Sequence, residues 1–267
     1  MELQGRLDAL KQQGISIAAI SYDPEPVLAD FSARRGIRFP LLSDPGSPTI
    51  KRYGIFNTTV PESNTQAYGV PFPGTFMLDT RGIVTARFFE AAYQERNTVS
   101  SILTRLGTTI DIPATRVSSP QVEITSFATD STVAPGTHFS IVVEVRPNQG
   151  MHVYAPGAIG YRGTNLTIEA HPWIDLKAAR YPPSEDYHFK PLDEHVQVYQ
   201  RPFRVALDVV VDASPDAQNA LKDVSTLTLH GVFSYQACDD KVCFAPQAVP
   251  LQWTIAVRQL DRERVKR

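Results

Sequence analysis

Apolar positions change their spacing part-way along the chain. Up to residue 112 they recur at helical spacing or in short runs; beyond residue 120 they alternate with polar positions one by one. In the first half, ELQGRLDALKQQ puts Leu3, Leu7 and Leu10 on one helical face, and Gly14 ends it. ISIAAIS (15–21) and FPLL (39–42) read as short buried strands. Between them, PEPVLADFSARR predicts a helix with Asp23 as its cap, Pro24 in its first turn and Gly36 past its end. A short helix follows over 46–53, then an irregular segment over 56–72. GTFMLD (74–79) and GIVTARFF (82–89) form a hairpin pattern around Thr80-Arg81. NTVSSILTRLG (97–107) is a last amphipathic helix with Gly107 beyond its end.

IDIPATRVSSPQ (110–121) carries Pro, Ser and Thr without an apolar period and reads as a linker, with 113–120 as its centre. After it the period is 2. Strands are predicted over 122–128, 138–145, 151–155, 165–171, 196–200, 203–211, 225–237 and 249–257, separated by Pro, Gly, Asn and Asp turns, with no helix of normal length. Many short strands at regular spacing predict a β-sandwich. The organisation is thus an α/β domain over 1–112, a linker over 113–120, an all-β domain over 121–258 and a mixed-charge tail over 259–267.

Composition changes this picture little. The chain has 267 residues, enough for two domains, is 42% hydrophobic and 20% charged, and has a formal net charge of -2. No basic field points to nucleic acid. The apolar runs IAAI and VALDVVV are too short to span a bilayer. MELQGRLDALKQQ is charged and has no apolar signal-peptide core, so the chain taken literally is cytoplasmic.

Candidate chemistry is concentrated in YQACDDKVCFAP (235–246), which holds both cysteines of the chain, Cys238 and Cys243. A staple, half a metal site and a redox pair are the three readings. Zinc requires four ligands, usually as two paired sets, and the six histidines (138, 152, 171, 188, 195, 230) form no spaced set with this one pair; no metal and no cofactor is expected. VFSYQA and FAPQAV read as two strands joined by DDKV, which sets the cysteines opposite each other at ~4.5–5.5 Å between Cα atoms, suited to a disulfide. Closing so short a loop is worth about 2 kcal/mol, near the low end for disulfides. A bond at a hairpin end is also open to an attacking thiolate. Lys241 favours a thiolate there while Asp239 and Asp240 oppose it. Staple and redox pair both stay open on these grounds.

Two resemblances add to this reading. RFPLLSD, YGI and PFPGTFMLDTRGIV resemble an AhpC/TSA-type redoxin, a peroxiredoxin-like member of the thioredoxin fold. The resemblance implies that Pro73 is the cis-proline beside the reactive cysteine. That cysteine and the central strand of the family lie upstream of the residues matched, and residues 1–237 contain no cysteine. The expectation is an incomplete thioredoxin-like sheet in a truncated product, with an antioxidant peroxidase activity only if the upstream part exists. TLHGVFSYQACDDKVCFAPQAVPLQW, with GMHVYAP and VQVYQRPFRVALDV, resembles the N-terminal periplasmic domain of the DsbD thiol:disulfide interchange family. This implies an immunoglobulin-like sandwich and a bacterial, extracytoplasmic setting. It also implies a Cys238–Cys243 pair that exchanges electrons with thioredoxin-like or membrane-embedded thiol–disulfide partners. The loop between the cysteines has four residues here against five in the best-known members. The resemblance further implies an aromatic cap over the disulfide within 181–199, for which Tyr187, Phe189 and Leu192 are candidates. Tyr235 and Phe244 are candidate lining residues, as are His152 and Tyr154 at the core edge. Cys243, followed by Phe244-Ala245-Pro246, is expected to be the attacked sulfur. An inert binding sandwich with a structural disulfide is the non-enzymatic alternative.

Overall fold

The structure, a computed structural model, describes residues 2–65, 67–89, 96–105, 113–189 and 193–259. It divides into two compact units, residues 1–99 and 100–267, so the division falls ahead of the expected 113–120 linker.

In the first unit the leading helix is two pieces, α1 (Glu2–Gly5) and α2 (Leu7–Gln12); Gly5, a poor helix former, precedes the break. Leu7 and Leu10 are buried while Leu3 is exposed. Strands β1 (Ala19–Ser21) and β2 (Leu41–Ser43) pair in parallel, joined by α3 (Glu25–Arg35), which ends at Gly36 in the left-handed conformation at φ 59°. Its start differs from expectation. Pro24 occupies the cap position, and the Asp23 carboxylate instead accepts a hydrogen bond from Ser21 Oγ at 2.6 Å. Helix α4 (Pro48–Arg52) follows. Strands β3 (Gly74–Leu78) and β4 (Val84–Phe89) form the predicted hairpin, where Asp79 Oδ1 accepts the backbone N–H groups of Arg81 and Ile83, both at 2.9 Å. Pro73 departs from its expected cis form, since no described peptide bond is cis. An X–Pro bond intrinsically favours trans.

The β1–β2 pair and the β3–β4 hairpin remain separate two-stranded sheets among the described residues. Apolar side chains such as Leu42 and Leu78 stand about half exposed. Among the described residues the buried apolar set is thin, with Leu7, Leu10, Leu28 and Ile50 as its members before residue 99.

Helix α5 (Val99–Arg105) comes next, and Gly107 lies outside the described residues. The second unit then builds the sandwich. The linker reading fails at its centre: Thr115–Ser118 is a strand, β5, paired to β6 (Val122–Ala128) with Val117 opposite Ile124. Val117 packs on the core, and one inward apolar side chain suffices for an edge strand. The strands β7 (Thr132–Val133), β8 (Thr137–Pro147), β9 (His152–Tyr154), β10 (Asn165–Ile168), β11 (Ile174–Leu176), β12 (Glu185–Phe189), β13 (Glu194–Tyr199) and β14 (Phe203–Val211) follow. After the short helix α6 (Pro215–Ala220) come β15 (Thr226–Tyr235), β16 (Ala237–Cys238) and β17 (Gln247–Val257). Strands β7, β11 and β12 and helix α6 are additions to the expected set; each is too short, or too polar, to show a clear period. Ser214 caps α6 by accepting from the Ala217 N–H.

One main sheet runs β11-β14-β8-β6-β5 and the other β10-β15-β17-β7. Alternation of outward and buried positions along β15, and along β17 from Leu251 to Ile255, turns one face of their sheet inward. Phe139, Ile141, Val205, Leu229, Phe233 and Trp253 are among the residues of the shared core. Trp253 Nε1 donates to Ser126 Oγ at 2.9 Å, a buried hydrogen bond between the two sheets. A Cβ on Gly231 would lie 2.5 Å from the Thr167 carbonyl oxygen and 3.0 Å from the Trp253 ring, so only glycine lets these strands and the indole approach. A third, smaller sheet, β12-β13-β9-β16, carries the cysteines. No described helix is long and apolar enough to cross a membrane.

Two outcomes follow. Amide hydrogen exchange of the whole chain will show β1–β4 exchanging well before β14 and β15, because thin, open sheets unfold locally at low cost; equal protection would contradict this. Ser126→Ala leaves the Trp253 N–H without its partner and lowers stability by about 1–3 kcal/mol in urea unfolding.

Candidate functional site

The cysteines reach their place because one strand leaves its sheet. Strand β15 pairs with β17 as far as Tyr235 opposite Gln247; the chain then passes through Gln236 and continues as β16 against β9, with His152 opposite Cys238 and Val153 opposite Ala237. Gln236 secures the crossing. Its amide nitrogen donates to the Phe244 carbonyl at 3.1 Å, and its side-chain oxygen accepts the Arg162 N–H at 2.9 Å. The loop turns tightly: the Asp239 N–H donates to the Val242 carbonyl, and Asp239 Oδ1 accepts the backbone N–H groups of Lys241 and Val242 at 2.7 and 2.6 Å. These backbone donors hold the Asp239 carboxyl below its ordinary range.

Cys238 and Cys243 are disulfide-bonded, with Cα atoms 4.1 Å apart, facing each other across an antiparallel bridge. The two sulfurs differ in surroundings. Cys238 is 1% exposed and packs with Tyr154, Val196 and Val198; Cys243 is exposed. The Tyr154 hydroxyl lies 3.2 Å from Cys238 Sγ and 3.4 Å from Cys243 Sγ. A disulfide carries no S–H, so the phenol is the donor. Burial first, and then the neighbouring Tyr161, hold the Tyr154 phenol above its ordinary pKa, which keeps that proton in place. Tyr161 stacks on Tyr154 with centroids 4.0 Å apart and donates to Glu194 Oε2 at 2.7 Å.

His152 is buried. Its ring lies 4.3 Å from that of Tyr187 and meets Tyr154 edge-on at 5.6 Å between centroids. Tyr187 donates to Asp240 Oδ1 at 2.9 Å. Burial holds the His152 imidazole below its ordinary pKa, against the opposing pull of Asp240 and Asp239.

Of the cap candidates, Tyr187 stands beside this cluster as a partly buried member. Phe189 lies two residues on along the same face of β12, opposite Glu194, and is half-buried. Leu192 lies outside the described residues. The cap region as a whole is a β-hairpin, Glu185–Phe189 with Glu194–Tyr199. Phe244 is half-buried and follows Cys243, with its N–H donating to the Ala237 carbonyl. Tyr235 is not a lining residue. It is buried in the main core, and its hydroxyl meets Ser119 Oγ at 3.3 Å, because alternation along β15 turns it inward. Tyr161, Glu194 and Gln236 complete the surroundings without having been singled out from sequence; their loop and hairpin positions carry no periodic signal. Among the described residues no group of three or more His, Cys, Asp or Glu is placed to hold a metal ion.

Comparison with known proteins agrees with this layout. Residues 121–252 match the family described as thiol:disulfide interchange protein DsbD, N-terminal, and residues 1–87 match the AhpC/TSA family. The chain thus carries two successive matches, an AhpC/TSA match over its α/β part and a DsbD N-terminal match over its sandwich. The second match includes the bonded cysteine pair. Among solved structures, the N-terminal periplasmic domain of ScsB from Proteus mirabilis is 14% identical at a TM-score of 0.37, over 51% of this chain and 49% of that one. The DsbD N-terminal domain of Neisseria meningitidis in its reduced form is 16% identical at 0.30, over 44% of this chain and 81% of that one. The GAE domain of GGA2p from Saccharomyces cerevisiae is 9% identical at 0.30, over 52% and 96%. This chain thus spans about half the length of the ScsB domain. No curated protein matches.

Tyr154→Phe removes the hydroxyl that touches both sulfurs. A hydrogen bond to a charged group contributes about 1.5–3 kcal/mol, so the apparent pKa of the thiolate it serves should rise by about 1 to 2. Alkylation of the reduced chain by iodoacetamide across a pH series measures this. His152 gives a second outcome. Its folded-state pKa lies below the unfolded value of about 6.5, so the unfolded chain binds the extra proton; the contribution is complete above that pH and is lost as pH falls. His152→Phe should flatten that part of the stability–pH curve in urea unfolding.

Proposed function

We propose that Cys238 and Cys243 form a reversible redox centre that exchanges electrons with thioredoxin-like or membrane-embedded thiol–disulfide partner proteins. One observation carries this reading: the two sulfurs are unequal, with Cys243 open to solvent and Cys238 buried. An incoming partner thiolate attacks Cys243 Sγ, the Sγ–Sγ bond breaks, and Cys238 Sγ leaves with the electron pair. The Tyr154 hydroxyl is in place to hydrogen-bond the departing sulfur. The partner is then linked to Cys243 as a mixed disulfide. In the other direction the Cys243 thiolate attacks a partner disulfide and Cys238 resolves the product. A purely structural bond would have no use for an exposed sulfur on a loop crossing between sheets.

The AhpC/TSA region contributes no thiol, because residues 1–237 contain no cysteine; exchange in this chain rests on the sandwich. We assign the protein to an extracytoplasmic, oxidising setting, where such a disulfide persists.

The test is trapping in the full chain. Reduced Cys238→Ser, which keeps Cys243, should accumulate a mixed disulfide with an oxidised thioredoxin, whereas Cys243→Ser should not. A midpoint potential well below about −300 mV would place the bond in the structural class and sink the proposal.

A further inference from the structure

His152 is a buried imidazole beside the disulfide strand. Among the described residues its imidazole makes ring contacts with Tyr154 and Tyr187, and its backbone faces Cys238 in the β9–β16 ladder. Directly opposed residues on an antiparallel pair project to the same face with Cβ atoms about 4.5–5.5 Å apart. Tyr154, two residues along and on that same face, touches both sulfurs. Val153, between them, turns into the main core. An ordinary core position would be filled by an apolar side chain, whereas here a titratable imidazole shares a strand face with the buried Cys238 and stands next to the tyrosine that touches both sulfurs.

Resting on the exchange reading above, we propose that His152 is the proton acceptor for Cys238 when the buried sulfur resolves a mixed disulfide. A neutral imidazole nitrogen takes the proton from Cys238 S–H. The Cys238 sulfur then attacks Cys243 Sγ, the intramolecular Sγ–Sγ bond forms, and the bond between Cys243 and the partner breaks. The partner leaves as a thiolate with the electron pair, and the protonated imidazole returns its proton to the leaving thiolate or to water. Electrons and protons balance, and the oxidant is the partner's own disulfide.

The surroundings suit an acceptor. The groups facing the imidazole are the Tyr154 phenol from its own strand, the Tyr187 phenol from β12, and Cys238, Asp239 and Asp240 from β16 and its loop. Burial keeps the imidazole neutral and able to accept near pH 7, while the two carboxylates stabilise the imidazolium once formed. Asp240 is fixed through the Tyr187 hydroxyl, so the cap candidate also orients the charge that the imidazolium requires. Elsewhere, the stacked pair His188 and His195 is exposed, with each ring bonded to its own carboxylate, Asp193 and Asp186, and faces away from the sulfurs.

The reduced full chain, with two thiols and no others, allows a direct test with the aromatic disulfide dithio-bis-nitrobenzoate. Its coloured thiolate is released once when Cys243 is captured and again when Cys238 resolves. In the wild type the second release should show an inflection with pH. His152→Gln should slow the second release about a hundredfold at pH 7 relative to the first, in the range of general-base effects, and remove the inflection. An unchanged second phase in His152→Gln, with two phases present in the wild type, overturns the role of His152 alone. A wild type that releases no second thiolate overturns the exchange reading itself. Should the variant unfold, imidazole NMR titration of the wild type decides: the His152 midpoint must differ between oxidised and reduced chains, and identical midpoints refute the coupling.

Discussion

Two residue pairs, His152 with Cys238 and Val153 with Ala237, join the cysteine loop to the sandwich, and the site depends on them. They exist because the strand before the loop abandons its sheet at Gln236 and continues against a different partner. Without that crossing, the β15–β17 ladder would carry both cysteines along a regular hairpin with equal access to solvent. With it, one sulfur is pressed under Tyr154, Val196 and Val198 while the other stays outside. The backbone hydrogen bonds of the crossing also set Tyr154 over both sulfurs, since the Tyr154 N–H donates to the Gln236 carbonyl and Thr164 holds the Tyr154 carbonyl.

The polar groups around the disulfide are arranged for donation rather than for charge. Tyr154, Tyr161 and Tyr187 all have raised phenol pKa values, and each hydroxyl is directed at a sulfur or a carboxylate. Asp239, which sequence alone sets against a thiolate, is occupied by its own turn, and Asp240 by Tyr187. Much of the acidic character of the DDKV loop is therefore spent on holding the loop and its cover in place. The hairpin β12–β13 completes the arrangement by bringing Tyr187 and Glu194 to the rim of the same site.

The AhpC/TSA region has a different physical character. Its two strand pairs do not merge among the described residues, and its buried apolar set is small beside that of the sandwich. Local chemistry is nevertheless well formed there: Gly36 closes a helix in the left-handed conformation, and Asp79 closes the hairpin turn. These features need only neighbours in sequence. What is thin is the long-range burial that turns correct local structure into a cooperative unit.

Much of this protein was legible from residue order. Period-2 alternation located β6, β8, β14, β15 and β17, because a strand with one face in the core must alternate. Helical spacing located α2 and α3, and the cysteine spacing predicted a bridged pair facing each other across a turn. Other features needed the tertiary structure. Residues 115–118 became a strand because an edge in need of a partner accepts a segment with a single inward valine. Tyr235 went to the core and Tyr154 to the sulfurs, though both are tyrosines near strand ends, because the register of β15 and of β9 assigns their faces. The unequal exposure of Cys238 and Cys243 is likewise a product of the crossing at Gln236. Sequence determines which side chains share a strand face; only packing between strands distant in sequence decides what that face meets.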